Sequence, residues 1–230
     1  MYLHFFGGRG SSSGKGNGKP PIAKRISEAN DIAVRYKLAK KADFTGLSLE
    51  NANMAIQTIA ATKAEFPNMI DLKYVGNSEY GSSDDKKFGK KNRTVAAFIN
   101  RYEKTLNFQE TFFRDDIDGS VSRVLKFSKA SKSIAVGTLK GSIDHELGHV
   151  LDLSKNFAIS NDSRIVSLYN KHTNKKVIGT KDSMRSVLSS YAEKNKREFL
   201  AEAWSEYRNS SNPRPVAKTV GSIVEEYMKK

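Results

Sequence analysis

The sequence predicts an α+β fold, with strands gathered in its first half and helices filling its second. Two observations carry that expectation. Between residues 72 and 108, short segments of β-branched and aromatic residues alternate with Gly, Ser and Asn turns. Beyond Asp115, apolar residues recur at helical spacing instead. A chain of 230 residues, 38% hydrophobic and 28% charged, can bury a core of its own, and with no cysteine it must do so without disulfides.

Taken in order, residues 7–21 (GGRGSSSGKGNGKPP) are too poor in apolar groups to offset the entropy of ordering, so residues 1–21 read as a flexible tail tipped by Tyr2 to Phe6. A single domain then spans 22–230. Ile22, Ile26, Ile32, Ala33 and Leu38 predict a basic amphipathic helix from Ile22 to about Lys40. Ser48 is placed to cap a second helix that stops near Pro67. Strands are expected at 72–75, 94–99 and 104–108, with 76–78 and 81–83 as turns. Helices follow at about 121–127, 142–153, 165–171, 184–192, 197–207 and 216–228, with no internal repeat.

Composition excludes several functions. No apolar run approaches the roughly 18 residues of a membrane span, which argues against a membrane partner. Met1 to Phe6 lacks a basic n-region and Gly7 interrupts the apolar stretch, so no Sec signal is expected and a cytoplasmic location is. Without cysteine there is no thiolate metal site, so a metal must be held by His, Asp or Glu. The formal charge of +14 is concentrated at the ends, +6 over residues 1–48 and +6 over 161–230. That asymmetry makes nucleic acid or another polyanion a candidate partner, although solubility alone is an equal explanation.

The chemistry is concentrated in DHELGHVLD at 144–152. On a helix, His145 and His149 stand one turn apart on one face and can reach the same cation, while Glu146 stands beside the attacking water as general base. With 4 histidines in the chain, the HExxH pattern arises by chance in only about 0.4% of sequences of this composition, so coincidence is a poor account of it. Zinc in such a site acts as a Lewis acid and lowers the pKa of its water toward about 7, the requirement for peptide-bond hydrolysis.

A catalytic zinc needs a third protein ligand. Asp152 and Lys155 stand where a metzincin would carry Gly and His or Asp, so the ligand must come from elsewhere. Downstream, Glu198 and Glu202 share a helix face in YAEKNKREFLAEAWSEY (191–207), with small Ala201 and Ala203 to allow close approach and Phe199, Leu200 and Trp204 to anchor the other side. GTKD at 179–182 offers Asp182 as a competitor of the aspzincin type, but Arg185 and Ser186 depart from that pattern. Asp152 reads as an outer or ion-pair partner, and His4 and His172 as surface residues.

DHELGHVLD followed by a Tyr seven residues before the first Glu of EFLAEAW is similar to the anthrax lethal factor family of zinc peptidases. That family includes bacterial Pro-Pro endopeptidases and domains attached to phage minor head proteins. The resemblance covers roughly residues 134–208 and implies a zincin-like metalloendopeptidase that binds Zn2+. By the same resemblance His145, His149 and Glu198 are the metal ligands, Glu146 is the general base, Tyr191 donates a hydrogen bond to the oxyanion, and Glu202 orients a ligand histidine from outside. The implied partner is a peptide or protein substrate, lying between the sheet and the HExxH helix and pairing with an edge strand. The opening FFGGRGSSSG is similar in composition to small phage structural proteins, which adds capsid or other virion proteins as partners and a virion-associated location. The alternative is a phage structural or nucleic-acid-binding protein that keeps the fold as a scaffold.

Overall fold

The computed structural model describes residues 18–230. The apolar tip at 2–6, His4 and most of the expected tail therefore lie outside the described residues. Chain packing begins inside the stretch assigned to the tail: Pro20 is buried and its carbonyl accepts from the Gln57 side chain at 2.9 Å. Ala23 then exchanges two hydrogen bonds with the Asn53 side chain. Helix α1 covers Ile26–Arg35 and is shorter than the apolar spacing suggested. Lys37 adopts a left-handed conformation (φ 57°) and Leu38 N–H bonds back to Ala33, which ends the helix and turns the chain into strand β1, Ala39–Asp43.

Helix α2 (Leu49–Glu65) starts as expected, with the Ser48 hydroxyl accepting from Asn51 N–H, and it buries Ala52, Ala55, Ile56 and Ile59. Strand β2 (Leu72–Asn77) follows. Helix α3 (Ser83–Lys91) lies where the sequence suggested only a turn. It owes its existence to a capping box between Ser82 and Asp85 rather than to apolar periodicity, and the residues it buries are Asp85 and Gly89. Strands β3 (Ala97–Asn100) and β4 (Thr105–Phe108) form a hairpin, followed by the single turn α4, Glu110–Phe113.

The sheet order is β1-β2-β4-β3, with β1, β2 and β4 parallel and β3 antiparallel on the edge. At Gly76 (φ 147°) the β1 backbone at Asp43 passes so close that no Cβ would fit.

Six helices complete the chain: α5 (Ser120–Ala130), α6 (Leu139–Ser154), α7 (Ser163–Thr173), the short α8 (Met184–Val187), α9 (Lys196–Asn209) and α10 (Pro215–Lys229). The helix expected over 184–192 therefore stops after one turn. Leu188 leaves helical geometry (φ −146°, ψ −83°), and residues 191–193 form a separate tight turn. The described residues make a mixed α/β structure that is mostly helical, with ten α-helices around a four-stranded sheet.

The contact that builds the candidate site is α6 against α9. More than half the residues of each are buried, and α6 also touches α2 and the edge strand β3. Small residues let the two axes approach: a Cβ added at Gly148 would lie 3.0 Å from Ala201 Cα and 3.3 Å from the Trp204 ring. Trp204 itself is fully buried, 5.9 Å from the Phe66 ring, so α9 is pinned from behind. Gly148→Val should accordingly wedge the helices apart, cost about 1–3 kcal/mol and weaken any metal held between them. Urea unfolding of metal-free protein checks this; an unchanged midpoint would contradict the close-packing account.

Candidate metal centre

Helix α6 begins with the Thr138 hydroxyl accepting from Gly141 N–H, which sets its phase. Ile143, Leu147, Val150 and Leu151 bury one side, and the side turned to α9 presents His145 and His149. Helix α9 begins at Asn195, whose side chain accepts from the N–H groups of Arg197 and Glu198 and so fixes the first turn that carries Glu198. The donor atoms of His145, His149 and Glu198 all lie within 4.8 Å of one another.

One carboxylate oxygen, Glu198 Oε2, stands 3.1 Å from His145 Nε2 and 3.3 Å from His149 Nε2. Donors about 2.0–2.1 Å from a shared tetrahedral centre are separated by about 3.3 Å, so these spacings suit the edges of a zinc coordination shell. Proton inventory points the same way. His145 contacts carboxylates through both ring nitrogens, Nε2 to Glu198 and Nδ1 to Glu202 at 2.9 Å. Burial disfavours its charged form, yet those hydrogen bonds outweigh burial and raise its pKa well above the usual imidazole value. The site therefore favours positive charge, which either an imidazolium or a metal cation supplies. Burial pushes the Glu198 carboxyl up, but the two histidines dominate and hold it far below the ordinary range, as an anionic ligand requires.

Glu202 is 4% exposed and organises the surroundings. Its Oε1 accepts from His145 Nδ1, fixing the tautomer that leaves Nε2 available to a metal, and its Oε2 accepts from Ala135 N–H at 2.6 Å and the Ser189 hydroxyl at 2.7 Å. Glu146 does not join the donor cluster. Its Oε2 accepts from Ile99 N–H at 2.9 Å, and burial raises its pKa, partly offset by His145 and His149. A buried carboxylate with a raised pKa is a better proton acceptor than an exposed one. The Tyr191 ring stands edge-on to His145 at 5.7 Å with Lys194 Nζ 3.6 Å from its centroid, and burial followed by the nearby carboxylates raises its pKa, so the phenol keeps its proton.

His145, Glu146, His149, Tyr191 and Glu198 line a cleft of about 880 Å³ bounded by β3 on one side and by α6 and the start of α9 on the other. Gln109 N–H bonds to the Ala96 carbonyl, so the even-numbered residues along β3 turn their backbone groups to β4 while Ala97 and Ile99 turn theirs outward; the bond from Ile99 to Glu146 has that direction. The edge expected to receive a substrate thus borders the candidate metal site.

The Asp182 alternative gains no support, and two expectations are corrected. Asp182 is exposed and stands outside the donor group, its carbonyl merely accepting from His172 Nδ1 at 2.6 Å. His172 is buried, 6% exposed, rather than a surface residue, because that bond and the packing of α7 enclose it. Asp152 lies outside the donor group and, among the described residues, makes no ion pair: its Oδ1 accepts from Ser160 N–H and closes the turn after α6. Sequence reasoning missed Ala135, Ser189 and Ile99. Two of these act through backbone N–H groups, which carry no side-chain signature, and one serine of the Ser189-Ser190 pair ahead of Tyr191 carries little more.

Among the described residues no helix is long and apolar enough to cross a membrane. At the basic C-terminal end, Lys229 and Lys230 pair with Glu225 and Glu226 one turn back, glutamates already counted in the net +6 of that segment. No family model, curated protein or solved structure matches the chain. The functional reading rests on the site itself.

Proposed function

We propose that the chain is a zinc-dependent metalloendopeptidase of zincin-like fold. The observation that carries the reading is the convergence of two imidazole nitrogens and one carboxylate oxygen, with a non-ligand glutamate and a tyrosine facing the same cleft. His145, His149 and Glu198 would hold the zinc. When bound, the ion supplies Lewis acidity and makes water a usable nucleophile near neutral pH.

The remaining work falls to the chain's own residues. With the Ile99 N–H held by Glu146, substrate backbone pairs with the outward groups of Ala97 and with the Ile99 carbonyl, which lays the scissile amide across α6. Glu146 takes a proton from the attacking water as the C–O bond forms and returns it to the nitrogen as the C–N bond breaks. Tyr191 donates its hydroxyl hydrogen to the carbonyl oxygen as negative charge grows there. Resemblance to phage-associated peptidase domains favours a substrate among capsid or other virion proteins, in a host cytoplasm or the particle.

Metal analysis should find about one zinc per chain, released by chelator with loss of hydrolysis. Tyr191→Phe tests the donor role because it keeps the ring against His145 and Lys194 and removes only the hydroxyl. Turnover should fall by roughly 10²- to 10³-fold with zinc content and KM little changed, the loss typical of one oxyanion donor. A Tyr191→Phe protein with normal kcat would leave the phenol a packing role only.

A further inference from the structure

We propose that Ser189 is a positioning residue that links metal capture at His145 to the placement of Tyr191. The inference rests on the metal-centre reading above and extends it to residues that touch neither metal nor substrate. Ser189 is fully buried in the break between α8 and the tight turn at 191–193. Its hydroxyl donates to Glu202 Oε2 at 2.7 Å and accepts from Ala192 N–H at 3.2 Å. The Tyr191 turn is held on its other side by backbone carbonyls: Ser190 N–H donates to Lys132 at 2.8 Å and Tyr191 N–H to Ser133 at 3.0 Å. Two residues further along that same segment, Ala135 N–H donates to Glu202.

Both flanks of the Tyr191 turn therefore end on one carboxylate, whose other oxygen holds His145. A ring whose Nε2 is committed to a metal presents Nδ1–H along one fixed line. Glu202 must then align with that line, and its second oxygen comes to rest where Ser189 and Ala135 can reach it. Loosening the turn frees Glu202, and freeing Glu202 lets the His145 ring rotate away from the metal. Linkage makes the effect mutual: whatever factor zinc adds to the stability of the closed turn, the closed turn adds to zinc affinity. A serine that merely caps a turn would show no such dependence.

Amide exchange at Ala192, followed by NMR with and without zinc in the unmutated protein, reads the coupling directly. Zinc should slow exchange at Ala192 by about fivefold or more beyond any change at Ile32, buried in α1 away from the site. Ser189→Ala should remove the zinc-dependent part and weaken zinc by a similar factor in chelator competition, and Ser189→Thr, which restores the hydroxyl, should recover both. In turnover, Ser189→Ala should lower kcat in the parent but add little to Tyr191→Phe, since both act on one donor. Protein that binds zinc with Ala192 exchanging no more slowly relative to Ile32 would overturn the inference while leaving the metal centre intact. Protein that binds no zinc would overturn the metal-centre reading, and this inference with it.

Discussion

Glu198→Ala should abolish stoichiometric zinc binding under conditions where Asp182→Ala leaves it unchanged. Removing Glu198 takes away the only carboxylate in the donor group and leaves two imidazoles facing each other without the anion that both contact. A two-ligand site on one helix face is a poor zinc site, whereas three protein ligands with one open position is the catalytic norm. Glu202→Ala should fall between the two, weakening zinc by about 10- to 100-fold, because it orients His145 without contacting the ion. It also leaves the buried Ala135 N–H without its acceptor, so some loss of stability should accompany the loss of affinity. Competition with a chromogenic chelator ranks all three variants, and a larger loss in Asp182→Ala than in Glu198→Ala would move the third ligand out of α9.

Glu146→Gln should show the opposite separation: zinc retained near the parent affinity, turnover down by about 10²- to 10⁴-fold. Glu146 is turned away from the donor cluster, toward Ile99 on β3. Glutamine keeps the length and can still accept from that N–H, so the edge strand stays where it is. It cannot take up a proton from water. The effect should appear in kcat, with KM little altered, because the lost interaction belongs to the transition state. If Glu146→Gln lost zinc as completely as His149→Ala, the division of labour between ligand and base would be wrong.

The two helices that build the centre were the most legible parts of the sequence. HExxH sets its own helical phase, and EFLAEAW places two carboxylates one turn apart beside the small Ala201, which meets Gly148 in the folded chain. Strand β1 and helix α3 were not legible, for physical reasons. The strand AKKAD has almost no β-branched or aromatic character and exists because it pairs in parallel with β2. The helix SDDKKFGKK carries no apolar stripe and depends on its capping box. At the site, carboxylates and imidazoles announced themselves. The donors that orient them did not, because Ala135 and Ile99 act through main-chain N–H groups whose positions depend on how distant segments meet.

Digestion of an unbiased peptide library asks whether this centre hydrolyses peptide bonds. The protein is loaded with one zinc per chain and compared with chelated protein and with Glu146→Gln, and cleavage products are read by mass spectrometry. The account predicts new peptide termini with zinc-loaded protein, none after chelation, and a rate reduced by orders of magnitude in Glu146→Gln despite bound metal. Zinc-loaded, folded protein that leaves the library intact, or cleavage that survives both chelation and loss of Glu146, would contradict it.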